Sequence, residues 1–236
     1  MNTHIVSAFD EELSELRKLI AQMGGLAEDQ FGKSIDALSR SDKVLAEKVI
    51  ASDDKIDRLE KELEERAIKL IAKRQPMAAD LRAIIVAIRI SSDLERIGDL
   101  AKNIAKRTLA VDEQLPRSVN AGMTRMAELA MEQLSDVLDA YARLDVDKAQ
   151  DVWVKDSRID QIYNSVFREL LTYMMEDART IGMCTHLLFG AKNIERIGDH
   201  TTNIAENIHY LVTGGPPQGE RPKEDATSIT PVEHPA

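Results

Sequence analysis

The chain has 236 residues, 43% of them apolar but only 4% aromatic, so its core has to be filled by Leu, Ile, Val, Ala and Met, a composition that suits packed helices. Its 41 acidic and 31 basic side chains leave a formal charge of −10, which argues against bulk attraction to nucleic acid or anionic lipid, since phosphate binding rests on clusters of Lys and Arg. The single cysteine, Cys184, can make no internal disulfide and excludes a thiolate zinc site, so a reducing cytoplasm is the expected compartment.

The first twenty residues carry Asp10, Glu11, Glu12 and Glu15 where a signal peptide needs an apolar stretch. No run approaches the roughly 20 apolar residues that span a bilayer, and Ala83 to Ile88 is closed off by Arg82 and Arg89. Apolar residues recur at spacings of three and four, as Phe9, Leu13, Leu16, Ile20 and Met23, then Ile56, Leu59 and Leu63, then Ile90, Leu94, Ile97, Ala101 and Ile104. Ser41-Asp42 restarts a helix, Pro76 closes the next, and Pro116 with Ser118 opens another. The predicted helices run over residues 6–39, 42–74, 78–110, 118–143, 146–176 and 180–212. The second is expected to be an unbroken rod of about 50 Å. Five of the seven prolines follow residue 215, and the segment 213–236 reads as a disordered tail.

Sliding the chain against itself reveals an internal repeat. Residues 23–57 match 126–160 without a gap, through pairs such as Met23/Met126, Gln30/Gln133, Arg40/Arg143, Asp53/Asp156 and Asp57/Asp160. After a three-residue slip, Asp93 to Ala105 realigns with Asn193 to Ala205, identical at eight of thirteen positions. The expected fold class is therefore all-α: two tandem three-helix bundles related by a pseudo-twofold axis, over 5–112 and 117–212.

Each copy carries Glu-Arg-Ile-Gly-Asp on its third helix, as Glu95 to Asp99 and Glu195 to Asp199, with Asn103 or Asn203 four residues on. That spacing puts the oxygen-bearing side chains on one helix face, where two carboxylates repel one another. The second helix adds Asp53 with Asp57, and Asp156 with Asp160. If helices two and three pack antiparallel, four carboxylates converge in each copy on a site made only of oxygen. Such a set suits Mg²⁺, Ca²⁺, Mn²⁺ or ferric iron, with Zn²⁺ possible through carboxylates. The other reading leaves these acids solvated, in surface pairs with Lys55, Arg96, Arg158 and Arg196. Gly98 and Gly198, costly inside a helix by about 1 kcal/mol relative to Ala, imply close approach of a helix or a ligand.

His200 has Leu100 as its counterpart and reads as a satisfied or exposed imidazole. Glu206 and His209 form one Glu-x-x-His, but Lys106 and Leu109 stand in the other copy, so a di-iron carboxylate centre is not expected. Cys184, Trp153 and Phe167 read as core residues, and no phosphate-binding loop, nucleophile elbow or dinucleotide fingerprint is present.

Met23-Gly-Gly-Leu26, Asp93-Leu-Glu-Arg-Ile-Gly-Asp99, Asn193-Ile-Glu-Arg-Ile-Gly-Asp-His200 and Asn203-Ile-Ala together resemble the PhoU family of phosphate-signalling regulators, helical proteins associated with bacterial phosphate ABC transporters. The resemblance spans residues 5–212. It implies two three-helix bundles and metal sites at Glu95, Asp99, Glu195 and Asp199, with Asp53, Asp57, Asp156 and Asp160 as further candidates. It also implies a role without catalysis, relaying the state of the transporter to a membrane sensor histidine kinase so that phosphate-starvation genes stay off when phosphate is plentiful. The implied partners are the transporter's ATPase subunit and the kinase's cytoplasmic domain. A homodimer is expected, with no nucleic-acid partner and no insertion into the membrane, at most a peripheral position through those partners. A helical metalloenzyme and a scaffold without ligand are the competing readings.

Overall fold

A computed structural model describes residues 2–112, 115–155 and 157–217, with side chains from Phe9 onward. The first repeat contains α1 (Asn2–Arg40), α2 (Lys43–Ser52), α3 (Asp54–Arg74) and α4 (Ala79–Ala110). The second contains α5 (Arg117–Arg143), α6 (Val146–Lys155), α7 (Ser157–Glu176) and α8 (Ile181–Thr213), the last preceded by a single 3₁₀ turn at Ala178–Thr180. No strand occurs among the described residues.

The two copies turn their first corners by the same device. Ser41 and Leu144, equivalent positions of the repeat, both adopt left-handed backbone conformations that end α1 and α5. The next residue in each copy then caps the following helix: the Asp42 carboxylate accepts from Leu45 N–H at 2.9 Å and that of Asp145 from Lys148 N–H at 3.0 Å. Each cap satisfies an orphan amide, worth about 1 kcal/mol.

The expected rod over 42–74 is broken. Asp53 interrupts it between α2 and α3 although its own dihedrals, φ −58° and ψ −41°, are helical. Its carboxylate is drawn inward rather than into a cap, and Ile56 N–H donates to Asp53 O at 3.0 Å, a tighter bond than the α-helical ladder. In the second repeat α6 and α7 part around residue 156, which lies outside the described residues, as do 218–236 of the expected tail.

The long third helices of the two copies, α4 and α8, make the most extensive packing in the molecule, with α1 laid along α4 and α5 along α8. Ile84, Ile90, Leu94, Ile97 and Ile104 of α4 are fully buried, as are Leu187, Ile194, Ile197, Ile204 and Ile208 of α8. Side chains from both repeats join one contiguous apolar core, so the pseudo-twofold axis runs through the core rather than through a wet interface. α1 and α5 also meet directly: a Cβ on Gly24 would stand 2.6 Å from Leu138 Cδ2. None of the helices is long and apolar enough to cross a membrane among the described residues.

Candidate functional site

The antiparallel packing of α3 on α4 brings the first repeat's acids together in two groups. Asp53, only 5% exposed, accepts a hydrogen bond from Gln30 Nε2 at 2.9 Å, and the same amide group donates to Gly98 O at 3.2 Å. The Lys102 ammonium pairs with Asp53 and also lies 2.6 Å from Asp99 Oδ1, so it joins two carboxylates from different helices. Burial alone would lower the Lys102 pKa, but its bonds to Asp53 and Asp99 outweigh that and hold the group charged. Gly98 allows this arrangement: a Cβ there would come within 2.9 Å of Ile56 Cδ1, directly above the Asp53 and Gln30 side chains.

The second group has no such internal cation. Glu95 is pushed up to about 7 by its burial and by the Asp99 carboxylate, with Glu60 and Asp57 adding to the field and Arg96 opposing it. Glu60 is likewise raised, by burial and then by Glu64 and Asp57. Arg96 reaches Glu95 and Asp99 only at 3.5 and 3.6 Å and is itself well exposed, so it offsets little of this repulsion.

The second repeat is built differently on the same frame. Thr202 occupies the place of Lys102, buried, with its hydroxyl donating to Gly198 O at 3.0 Å. Tyr163 stands where the first repeat has Glu60. Glu195 and Asp160 are almost fully buried, and Glu195 is pushed up to about 7 by that burial and by Asp199 and Asp160, against the lowering influence of Lys192. Lys192 Nζ lies 2.9 Å from Glu195 Oε2 and 5.0 Å from the centre of the Tyr163 ring. Asp156 lies outside the described residues.

Chemically, the donor set is all oxygen, and Glu95 and Glu195, raised first by burial and then by neighbouring carboxylates, mark places where a hard cation would relieve like-charge repulsion. Among the described residues no three His, Cys, Asp or Glu side chains already stand in a metal-holding arrangement. The residues that set this electrostatics, Lys102, Gln30, Glu60 and Lys192, are not distinguished by the sequence pattern. Only Gln30 left a trace, as a repeated position shared with Gln133.

His200 is a satisfied imidazole: its Nδ1 lies 2.9 Å from Asp93 Oδ1, a contact between the two repeats that Asn203 reinforces at 3.4 Å. Glu206 accepts from Trp153 Nε1 at 3.0 Å, while His209 donates to Gly215 O at the end of α8, so the Glu-x-x-His pair has structural partners on both sides.

Comparison with known proteins gives a consistent result. The PhoU domain family model matches residues 20–108 and again 123–208, one match per repeat. The chain is 58% identical over 228 residues to the phosphate-specific transport system accessory protein PhoU homolog of Rhizobium meliloti, covering 96% of each chain. It is 51% identical to the Caulobacter vibrioides protein of the same name, over 97% of this chain and 100% of that one. The crystal structure of PhoU from Pseudomonas aeruginosa superposes with a TM-score of 0.85 at 38% identity, covering 88% of this chain and 100% of that chain.

Proposed function

The chain belongs to the PhoU family, and from that premise we propose that it is a non-catalytic accessory protein of a phosphate transport system, coupling a phosphate ABC transporter to a sensor histidine kinase. In this reading it keeps phosphate-starvation genes off when phosphate is plentiful. The observation that carries the reading is similarity along nearly the whole chain, through both repeats, to proteins named for that accessory role. A molecule of long packed helices offers extended faces for docking, and its net charge of −10 favours basic partner surfaces. Regulation by docking requires differential affinity, since the protein shifts the kinase only if it binds one signalling state more tightly than the other.

The acidic faces supply the second part of the proposal. Glu95 with Asp99 and Asp57, and Glu195 with Asp199 and Asp160, would hold a divalent or ferric ion, Mg²⁺, Mn²⁺, Zn²⁺ or iron, once it draws their carboxylates together. Asp53 belongs to the same set but is already neutralised by Lys102, so it acts from behind by fixing the break between α2 and α3. Bound, such an ion would supply positive charge that ties α3 to α4 and α7 to α8. The chain's own contribution is to hold the acids at close quarters.

The experiment is a pull-down of the purified chain against the transporter ATPase subunit and the kinase's cytoplasmic domain, with and without phosphate and divalent ions. Retention of both partners is expected. Failure to retain either under any of these conditions would overturn the coupling role.

A further inference from the structure

On the first repeat, α1, α2 and the start of α3 enclose a pocket of 140 Å³, lined by Asp29, Gln30, Lys33, Lys48, Ser52 and Lys55 over an apolar floor of Leu26, Leu45 and Val49. At about 30 Å³ per water, that is room for four or five water molecules, the scale of one small anion with four oxygens and too little for a nucleotide. Three lysines and one aspartate are its charged lining. Asp29 pairs with Lys33 at 2.6 Å, while Lys48 and Lys55 form no ion pair with any described residue. In a chain with ten more acidic than basic side chains, two unpaired lysines on the rim of one concavity are an unusual placement.

The second repeat sharpens the contrast. At the positions of Lys33 and Lys48 it carries Asp136 and Asp151, while the position of Lys55 keeps a cation, Arg158. Its two lysines at this place are taken up internally: Lys148 lies 3.0 Å from Asp136 and 3.2 Å from Asp139, and Lys155 stands 3.9 Å from both Glu132 and Asp136. One register of the repeat is therefore self-neutralised in the second copy and left electropositive in the first. Nothing in the packing requires the difference, since Lys33, Lys48 and Lys55 are all solvent-exposed.

We propose that this pocket is a binding site for a single phosphate group, held by Lys48 and Lys55 with Lys33 as the third cation. Ammonium groups suit a phosphate as mobile point charges rather than as a rigid fork, and charge-assisted bonds of this kind are the strong ones. When the anion enters, Lys33 is shared between it and Asp29. The phosphate group could come from free orthophosphate or from a lipid headgroup, and both present the same anionic phosphate oxygens. The site is read from the first repeat's geometry and does not rest on the regulatory proposal, because binding to the purified chain and control of genes are measured separately.

The test is titration calorimetry of the full chain with inorganic phosphate at low ionic strength, alongside co-sedimentation with phosphatidylcholine vesicles with and without phosphatidic acid. The chains compared are the wild type, Lys48→Gln/Lys55→Gln and the control Lys61→Gln. Saturable binding is expected for at least one of the two phosphate probes, weakened by about tenfold or more in the double variant and unchanged in the control, with helical circular dichroism the same throughout. Binding of orthophosphate assigns the free anion; binding only of vesicles containing phosphatidic acid assigns the headgroup. Absence of saturable binding by both probes, or equal binding by wild type and double variant, would overturn the proposal.

Discussion

Lys102 on α4 reaches Asp53 at the break between α2 and α3, and this pair ties the C-terminal third of α4 to that break. Asp53 is too buried to be solvated by water, so Lys102 and Gln30 take the place of water around its carboxylate. Replacing Lys102 by Met is expected to cost about 1–3 kcal/mol in urea unfolding, because it strands a buried carboxylate. Adding Asp53→Asn to it should recover part of the loss, since no buried charge then remains. Equal costs for the single and double variants would show that the pair is not what holds this junction.

The two elevated glutamates make stability depend on pH. Glu95 and Glu195 ordinarily titrate near 4.5 and here near 7, so between those values the folded chain binds more protons than the unfolded one. Their contribution to stability is therefore lost as pH rises through that window. Glu95→Gln and Glu195→Gln should each gain on the wild type by about 1–2 kcal/mol, allowing for screening, when unfolding at pH 8 is compared with unfolding at pH 5. A gain of the same size at both pH values would point to packing instead of charge.

If cations occupy the acidic faces, they should reverse that penalty. Adding Mn²⁺ or Mg²⁺ at pH 8 is expected to raise the melting temperature of the wild type and to do so less in Glu95→Ala/Asp99→Ala and in Glu195→Ala/Asp199→Ala. The same double variants should bind Mg²⁺, Mn²⁺, Zn²⁺ or iron more weakly in titration calorimetry while keeping their helical content. Unaltered metal affinity in both would return these acids to an ordinary solvated face.

His200 and Asp93 join the two repeats across α4 and α8. Asp93→Ala should lower stability by about 1 kcal/mol and speed hydrogen exchange along α8 near residue 200, while leaving the first bundle's α1 protected. Uniform acceleration throughout the chain would mean that the contact acts only through global stability.

The fold was legible because helical periodicity, the Asp42 cap, Pro76 and Pro116 all agree, and because the repeat constrains each half by the other. The break at Asp53 was not, since no proline or glycine marks it: an aspartate with helical dihedrals is pulled inward by Lys102, forty-nine residues further on. Lys102 itself looks like half of an ordinary i,i+3 surface pair with Asp99, and its second partner exists only once α3 has packed on α4. Glu60 carries no repeat signal in the sequence, since Tyr163 replaces it in the other copy.

The most direct measurement of the central claim is a phosphate-responsive reporter in a strain lacking this gene, grown with ample phosphate and complemented with the intact gene or with the carboxylate variants. High reporter expression in the deletion strain, restored to repression by the intact gene, is the expected result. Normal repression in the deletion strain, with no second copy of the gene present, would contradict the regulatory role.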